Sequence, residues 1–318
     1  MKQEKDTNKN DIRKSILLLL VFFLLITISL CTLVFYEREI AAQKKDINNM
    51  LDLYSYTQCN NVNNWIDEVI LPLQSVKTYI ESGNIKGNED LQKILHYSSD
   101  QFSKYYEDGI YIGKSSGKFI KVAESNKDLM RNVVDEYWYK EGLTRVDINL
   151  GSVHKNSNGD FFVSATGILR DDNDVSVIDA DIPLSTINAE MDYACADLDF
   201  NVLIVDKSGN IIASKDESII GKSLSDTNNK VLVSCADKIK LESYTPFYVY
   251  NTMLNLRLTK NDEWIVISYI SEDNIVNRQK RNLAKALGIL TAVSIVLLVV
   301  LNKIIKFIFC DFKIVNKA

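Results

Sequence analysis

Two long apolar runs, one near each end of the chain, enclose the mixed-polarity residues 37–285. The first, SILLLLVFFLLITISLCTLVFY from Ser15 to Tyr36, carries no charge over 22 residues. As an α-helix that length crosses the roughly 30 Å hydrocarbon core of a bilayer. The second, Ala286 to Phe309, has the uncharged core ALGILTAVSIVLLVVLN before Lys303 and Lys306 appear, cations whose long stems reach toward headgroups. A chain built this way enters a membrane, leaves it, folds a domain and returns. The first run exceeds the roughly 7–15 residues of a signal-peptide core, and Tyr36-Glu37-Arg38-Glu39 lacks the small residues of a cleavage site. It is therefore expected to be retained. Lys2, Lys5, Lys9, Arg13 and Lys14 precede the first run, and Lys303, Lys306, Lys313 and Lys317 accompany or follow the end of the second. The positive-inside rule then puts both termini in the cytoplasm. Arg278, Lys280, Arg281 and Lys285 pull the other way, but two spans keep both ends on one side and the N-terminal set decides.

The enclosed segment reads as folded. In the whole chain 46% of residues are hydrophobic and 25% charged, close to globular usage, and three prolines are too few for a long extended linker. A net charge of −5 argues against nucleic acid as a partner. Cys31 falls in the first apolar run and Cys310 at the end of the second, leaving Cys59, Cys195 and Cys235 between them. An odd number permits at most one intrachain disulfide, with Cys195 and Cys235 as the candidate pair. The two histidines, His96 and His154, have no cysteine at zinc-binding spacing, so neither a metal nor another cofactor is expected. Nor is catalysis, since no nucleophile motif such as GxSxG accompanies either histidine. Asp179 and Asp181 share one face of a strand, but such pairs arise anywhere in a chain with 42 acidic residues.

Beyond Tyr36, apolar residues recur at Val62, Trp65, Ile66, Val69, Ile70, Leu73, Val76 and Ile80, intervals of three and four that mark one face of a helix. The first span is expected to continue as a helical stalk to about Ile80, with Cys59-Asn60-Asn61 as the place for a break. Its stripe packs either on its own domain or on a second copy. A second helix is expected over 88–106. The period then changes to that of strands. GIYIGKSSGKFIKVAE from Gly109 is a hairpin turned at Lys114-Ser115-Ser116-Gly117. INLGSVHKNSNGDFFVSATGIL is a second, and after Asp171-Asp172-Asn173-Asp174 the run VSVIDADI adds a fifth strand. The same layout returns from Phe200, in FNVLIVDKSGNIIASKD, YTPFYVYN, MLNLRLTKN and EWIVISYIS. A short helix over 184–191 joins the two sets. The fold class is α/β (α+β): a long N-terminal helix with two tandem PAS-like antiparallel-sheet modules, flanked by two transmembrane helices. The corresponding boundaries are 1–14 (tail), 15–36 (first span), 37–108 (stalk and helical lead-in), 109–192 (first, membrane-distal module), 193–277 (second, membrane-proximal module), 284–309 (second span) and 310–318 (tail).

Four segments, DEYWYKEGL at Asp135–Leu143, VIDADIPLSTI, VLIVDKSGNIIASKDESIIGKSL and EWIVISYIS, come in the order found in the double Cache domain of bacterial sensor receptors. The chain resembles that family over about 37–277, and is similar above all to the sensors attached to diguanylate cyclases. The resemblance implies a bacterial plasma-membrane receptor that binds a small molecule in its distal module, under the loop and helix holding the Trp-Tyr pair. Trp138 and Tyr139 would line that site as an apolar wall with polar edges. Asp181 stands at the family's acidic position, which accepts an ammonium group in amino-acid binders. The arginine that those binders place two residues before the Trp is here Glu136, so the fork for a ligand carboxylate is missing. The Tyr of the second hairpin is replaced by His154. Glu136 with Asp181 favours a cationic, amine-bearing ligand.

Plainer roles stay open. Trp138 and Tyr139 also suit a core, Asp181 a strand-end turn, His154 an exposed hairpin, and Tyr111 either the site or the core. After Phe309 only CDFKIVNKA follows, too short for a cyclase, a kinase or a signalling coiled coil. The chain is then either the front part of a longer receptor or a sensor that works as a homodimer through its stalk helix and signals through a separate cytoplasmic partner. A structural membrane protein is the alternative from another class.

Overall fold

In the computed structural model of the protein, which describes residues 2–83, 85, 87–121, 132–155, 159–171, 174–191, 200–241 and 244–315, the first apolar run continues without interruption as α1 (Lys2–Glu81). The chain divides into two compact units, Met1–Asn49 with Glu272–Ala318, and Met50–Ser271. Within the first unit, the apolar side chains of α1 and of α6 (Glu272–Val315) point outward: Phe22, Leu30, Ile289 and Val296 are all more than 60% exposed. A water-soluble helix would bury such residues. Both helices contain stretches long and apolar enough to cross a membrane.

In the second unit the later half of α1 buries its stripe. Val62, Trp65, Ile66, Val69, Leu73, Val76 and Ile80 are all buried, so of the two packings open to the stripe the chain adopts the one on its own domain. No break occurs at Cys59-Asn60-Asn61. Asn63, one turn on, does not compete for its own backbone but accepts from the Lys260 amide at 2.9 Å, and Cys59 is buried with its thiol directed to the Leu258 carbonyl. Pro72 also lies inside the helix. It forfeits one backbone bond, a cost of about 3 kcal/mol, against roughly 1.5–3 kcal/mol for each buried stripe side chain. The stripe outweighs the proline.

After α2 (Asn88–Gln101), which ends five residues short of the expected 106, the first module is built. Its strands are β1 (Ile110–Lys114), β2 (Phe119–Ile120), β3 (Asn149–Lys155), β4 (Phe161–Asp171) and β5 (Asp174–Pro183), with α3 (Tyr137–Gly142) between β2 and β3. The second module follows α4 (Leu184–Glu190). It contains β6 (Asn201–Asp206), β7 (Ile211–Ser214), α5 (Lys230–Lys240), β8 (Phe247–Val249), β9 (Thr252–Leu258) and β10 (Trp264–Ser271). The sheet orders are β2-β1-β5-β4-β3 and β7-β6-β10-β9-β8, the same arrangement twice, every pairing antiparallel. In each sheet the last strand lies centrally. β5 and β10 are accordingly buried on both faces along most of their length; β10 reads as a nearly continuous apolar run, whereas β5 interleaves its apolar residues with Ser176, Asp179 and Asp181.

The two faces of the second sheet have different covers. Leu203, Val205, Leu254, Leu256, Ile265 and Ile267 pack with Leu232, Cys235, Ala236 and Ile239 of α5. On the α1 side, Trp264 stacks on Trp65 with ring centroids 5.8 Å apart, and Asp52 accepts from Asn255 at 2.8 Å. α5 went unread in the sequence, although Leu232, Cys235, Ala236 and Ile239 have helical spacing and Asn229 caps the helix by accepting from the Val231 amide at 3.0 Å. Within α5 the Cys235 thiol is free and buried, and desolvation pushes it up to about 12. Its candidate partner Cys195 lies outside the described residues, as do the turn residues 156–158 and 172–173 and the segment 122–131.

Two stability measurements check this packing. Trp264→Ala removes half of the aromatic stack and is expected to cost about 3–5 kcal/mol, read as a fall in melting temperature. Gly142 closes α3 over the sheet, where an added methyl would overlap Val177 Cγ1 and come within 2.5 Å of Thr166 Oγ1. Gly142→Ala is expected to cost roughly 1–3 kcal/mol in the same assay. Wild-type melting of either variant would contradict the contacts described.

Candidate ligand-binding site

The antiparallel register of the first sheet decides which polar residues meet. Along β5, Val177, Asp179 and Asp181 share one face. Asp179 lies opposite Tyr111 of β1 on one side and Thr166 of β4 on the other, and Asp181 lies opposite Ser164. Both carboxylates are buried, Asp179 completely and Asp181 to within 4%. Burying a carboxylate costs several kcal/mol unless it gains hydrogen bonds or opposite charge. Two contacts reach Asp181: the Ser164 hydroxyl donates to its Oδ1 at 3.2 Å, and His154 Nε2 lies 3.3 Å from the same oxygen. The histidine side chain is 41% exposed and stacks on Phe162, its cross-strand partner, at 6.3 Å. A buried acid thus reaches solvent through an imidazole.

Tyr111 is fully buried beside the two acids. Its phenol is pushed well above its ordinary value, first by desolvation and then by the Asp179 and Asp181 carboxylates. Both effects favour the neutral phenol, which can donate a hydrogen bond. Over it sit the 3-10 turn Val133–Asp135 and α3. Trp138 meets Tyr111 edge-on at 5.1 Å and Tyr139 edge-on at 6.0 Å, and Phe119 completes the wall at 6.5 Å from Trp138. These aromatics form one buried cluster with Val133 and Val177. α3 is held down by polar contacts as well: Thr166 Oγ1 lies 3.2 Å from the Trp138 carbonyl, and the Tyr139 hydroxyl donates to the Val175 carbonyl at 3.3 Å. Gly113 of β1 permits the approach, because a Cβ there would stand 2.7 Å from the Trp138 ring and 2.9 Å from that of Tyr139.

The structure therefore places five of the six sequence-selected residues, Tyr111, Trp138, Tyr139, His154 and Asp181, around one face of β5. The aromatics belong both to the module's core and to the surroundings of the acids, so the two roles left open for them are not exclusive. Glu136 stands apart as the N-cap residue of α3. It is half-buried, and among the described residues its carboxylate makes no hydrogen bond or ion pair. Ser164, Thr166 and Glu141 were missed. The first two are the polar members of the alternation in FFVSATG, a signal visible once the strand register is known. Glu141 accepts from the Ser152 amide at 3.0 Å, from the Ser152 hydroxyl, and pairs with Arg145 at 3.5 Å. It ties α3 to the strand that carries His154. Among the described residues no three His, Cys, Asp or Glu side chains gather as a metal site. Chemically, a carboxylate fixed by a hydroxyl, flanked by aromatic rings and reached past an imidazole, suits a cationic or ammonium group better than an anion.

No protein-family profile matches this sequence, and no curated protein does. Solved structures match it in fold. The ligand-binding domain of the Pseudomonas fluorescens chemoreceptor CtaA, in complex with L-isoleucine, aligns with a TM-score of 0.59 at 16% identity, covering 74% of this chain and 97% of that one. The ligand-binding domain of the Pseudomonas aeruginosa amino acid chemoreceptor PctB, in complex with L-Arg, gives 0.56 at 15%, covering 72% and 97%. That of PctC from the same organism, in complex with GABA, gives 0.56 at 14%, covering 70% and 99%. At such identities the likeness is one of architecture: this chain has the two-module, Cache-type α/β fold of chemoreceptor ligand-binding domains.

Proposed function

We propose that this chain is a membrane-anchored sensor of a small, amine-bearing molecule, bound in the first module, with no enzymatic activity of its own. It crosses the bacterial plasma membrane twice, with both termini in the cytoplasm and residues 37–277 outside. Asp181 carries the reading. It is a buried carboxylate with a hydroxyl donor on one side and an aromatic wall nearby, and the His154 imidazole, 3.3 Å from it, opens to solvent. The ligands of the three structures named above, L-isoleucine, L-Arg and GABA, each carry an ammonium group. Glu136, in place of an arginine, favours amines over amino acids because it supplies no fork for a carboxylate.

Signalling would proceed from the sensor through the spans to a cytoplasmic partner or output domain, which requires different ligand affinities for two arrangements. The tie to diguanylate cyclases rests on sequence likeness alone. A homodimer is the natural unit for such a receptor. With the α1 stripe spent on its own modules, the face left for a second copy is the exposed one bearing Leu71 and Tyr79. Leu71→Glu with Tyr79→Glu is expected to turn dimers into monomers in sedimentation of the detergent-solubilised chain without changing its melting temperature.

The functional test is a thermal-shift screen of the full chain in nanodiscs against mono- and diamines, amino acids and their deaminated carboxylates. Native-state ligands raise the melting temperature in proportion to RT ln(1 + [L]/Kd). Amines are expected to shift it and the carboxylates not. Asp181→Asn keeps the side-chain shape but loses the charge, worth about 1.5–3 kcal/mol or roughly 10- to 150-fold in Kd. A well-folded chain that no amine stabilises, or an amine shift that Asp181→Asn leaves intact, would overturn the reading and favour a structural membrane protein.

A further inference from the structure

The second module has an opening of its own. A cleft of about 810 Å³, within the range of small-molecule sites, lies between the start of β6, the segment that follows β7 and the N-terminal end of α5. It shares no residue with the surroundings of Asp181. Its charge is of the opposite sign. Lys215, Lys222 and Lys230 line it together with Asp216 and Asp226, and among the described residues none of the three ammonium groups has an ion-pair partner. Asp216 is already engaged. It caps the turn Glu217–Ile219 by accepting from the Ser218 amide at 3.0 Å, and the Ser218 hydroxyl first, then that amide, then the Lys222 charge hold its carboxyl below the ordinary carboxylate range. Three cations thus line the cleft with two acids, a local excess of positive charge in a chain whose net charge is −5. Thr227, Asn228 and Asn229 add neutral polar groups along the same wall.

We infer that this cleft is a second binding site, for a small multivalent oxyanion such as a di- or tricarboxylate or a phosphate compound. Three exposed ammonium groups around one opening attract an anion with two or more charges, which forms charge-assisted hydrogen bonds with them. A neutral or cationic ligand is not attracted in this way. The occupant would also touch a connected part of the fold. Lys222 follows Gly221, whose positive φ of 78° places its backbone against the Phe161 ring, where a Cβ would overlap Phe161 Cε1. Phe161 opens β4 and precedes Phe162, the residue stacked on His154.

The test uses the full chain in nanodiscs of zwitterionic lipid, titrated calorimetrically with citrate and pyrophosphate at constant ionic strength, and a parallel arm in phosphatidylglycerol discs. Saturable binding of a soluble anion is expected, weakened about tenfold or more by the combined Lys215→Gln, Lys222→Gln and Lys230→Gln changes and left unchanged by Asp181→Asn. All three lysines are exposed, so the variant is expected to melt as wild type does. Stabilisation found only in phosphatidylglycerol discs, and lost in the lysine variant, assigns the oxyanion to a lipid phosphate. The inference is overturned if neither arm shows a lysine-dependent effect, if chloride at equal ionic strength acts as well as citrate, or if Asp181→Asn abolishes the binding.

Discussion

The burial of one helical stripe organises the folded part of this molecule. From Val62 to Ile80, α1 presents side chains at intervals of three and four, and both modules draw on it. Trp65 stacks on Trp264 of the second sheet and donates to Thr186 of α4 at 3.2 Å. Gln74 and Glu81 accept from the backbone amides of Ile148 and Arg170 in the first module at 2.8 and 2.9 Å, and Val69 accepts from the Tyr106 hydroxyl at 2.6 Å. Neither sheet would be covered on both faces without that helix. Apolar strands exposed on one side invite pairing and aggregation, so the helix is part of each module's core rather than a tether for it.

Two modules with one strand order have been given opposite chemistry. In the first, the α3 side of β5 carries Asp179 and Asp181, and the approach of α3 depends on two glycines, Gly113 and Gly142. The equivalent face in the second module is almost wholly apolar: Ile265 and Ile267 occupy β10 and pack with α5. Polar groups there have moved to the rim, where Lys215, Lys222 and Lys230 collect. Buried carboxylates require close partners and so make a small, specific environment. Exposed ammonium groups pay little desolvation and make an open one. The same scaffold therefore holds buried carboxylates in one module and a cleft rimmed by exposed lysines in the other.

Much of this architecture is legible as pattern. Charge-free runs near both ends, a helical stripe, and strands alternating about Gly117 and Gly209 (both at positive φ) follow from local periodicity and turn chemistry. Local signals misled where a tertiary partner altered the balance. Asn60 and Asn61 suggest a break, yet the packed stripe holds the helix through them and through Pro72. Cys235 invites a disulfide, yet its spacing with Leu232 and Ile239 makes it a core residue of α5.

What the sequence by itself determined is the kind of molecule: two apolar helices with a folded α/β segment between them, in two similar modules. Length, charge and the periods of 3.6 and 2 are properties of contiguous residues, and they need no partner to be read. Only the tertiary structure decided which residues come together around β5. Asp181, His154, Ser164, Tyr111 and Trp138 are spread over some 70 positions of chain, and their meeting depends on strand register, where a slip of one residue would turn each acid to the opposite face. The helical stripe was ambiguous for the same reason: its own domain and a second copy offer it the same apolar surface, and the contacts made by the folded chain distinguish them.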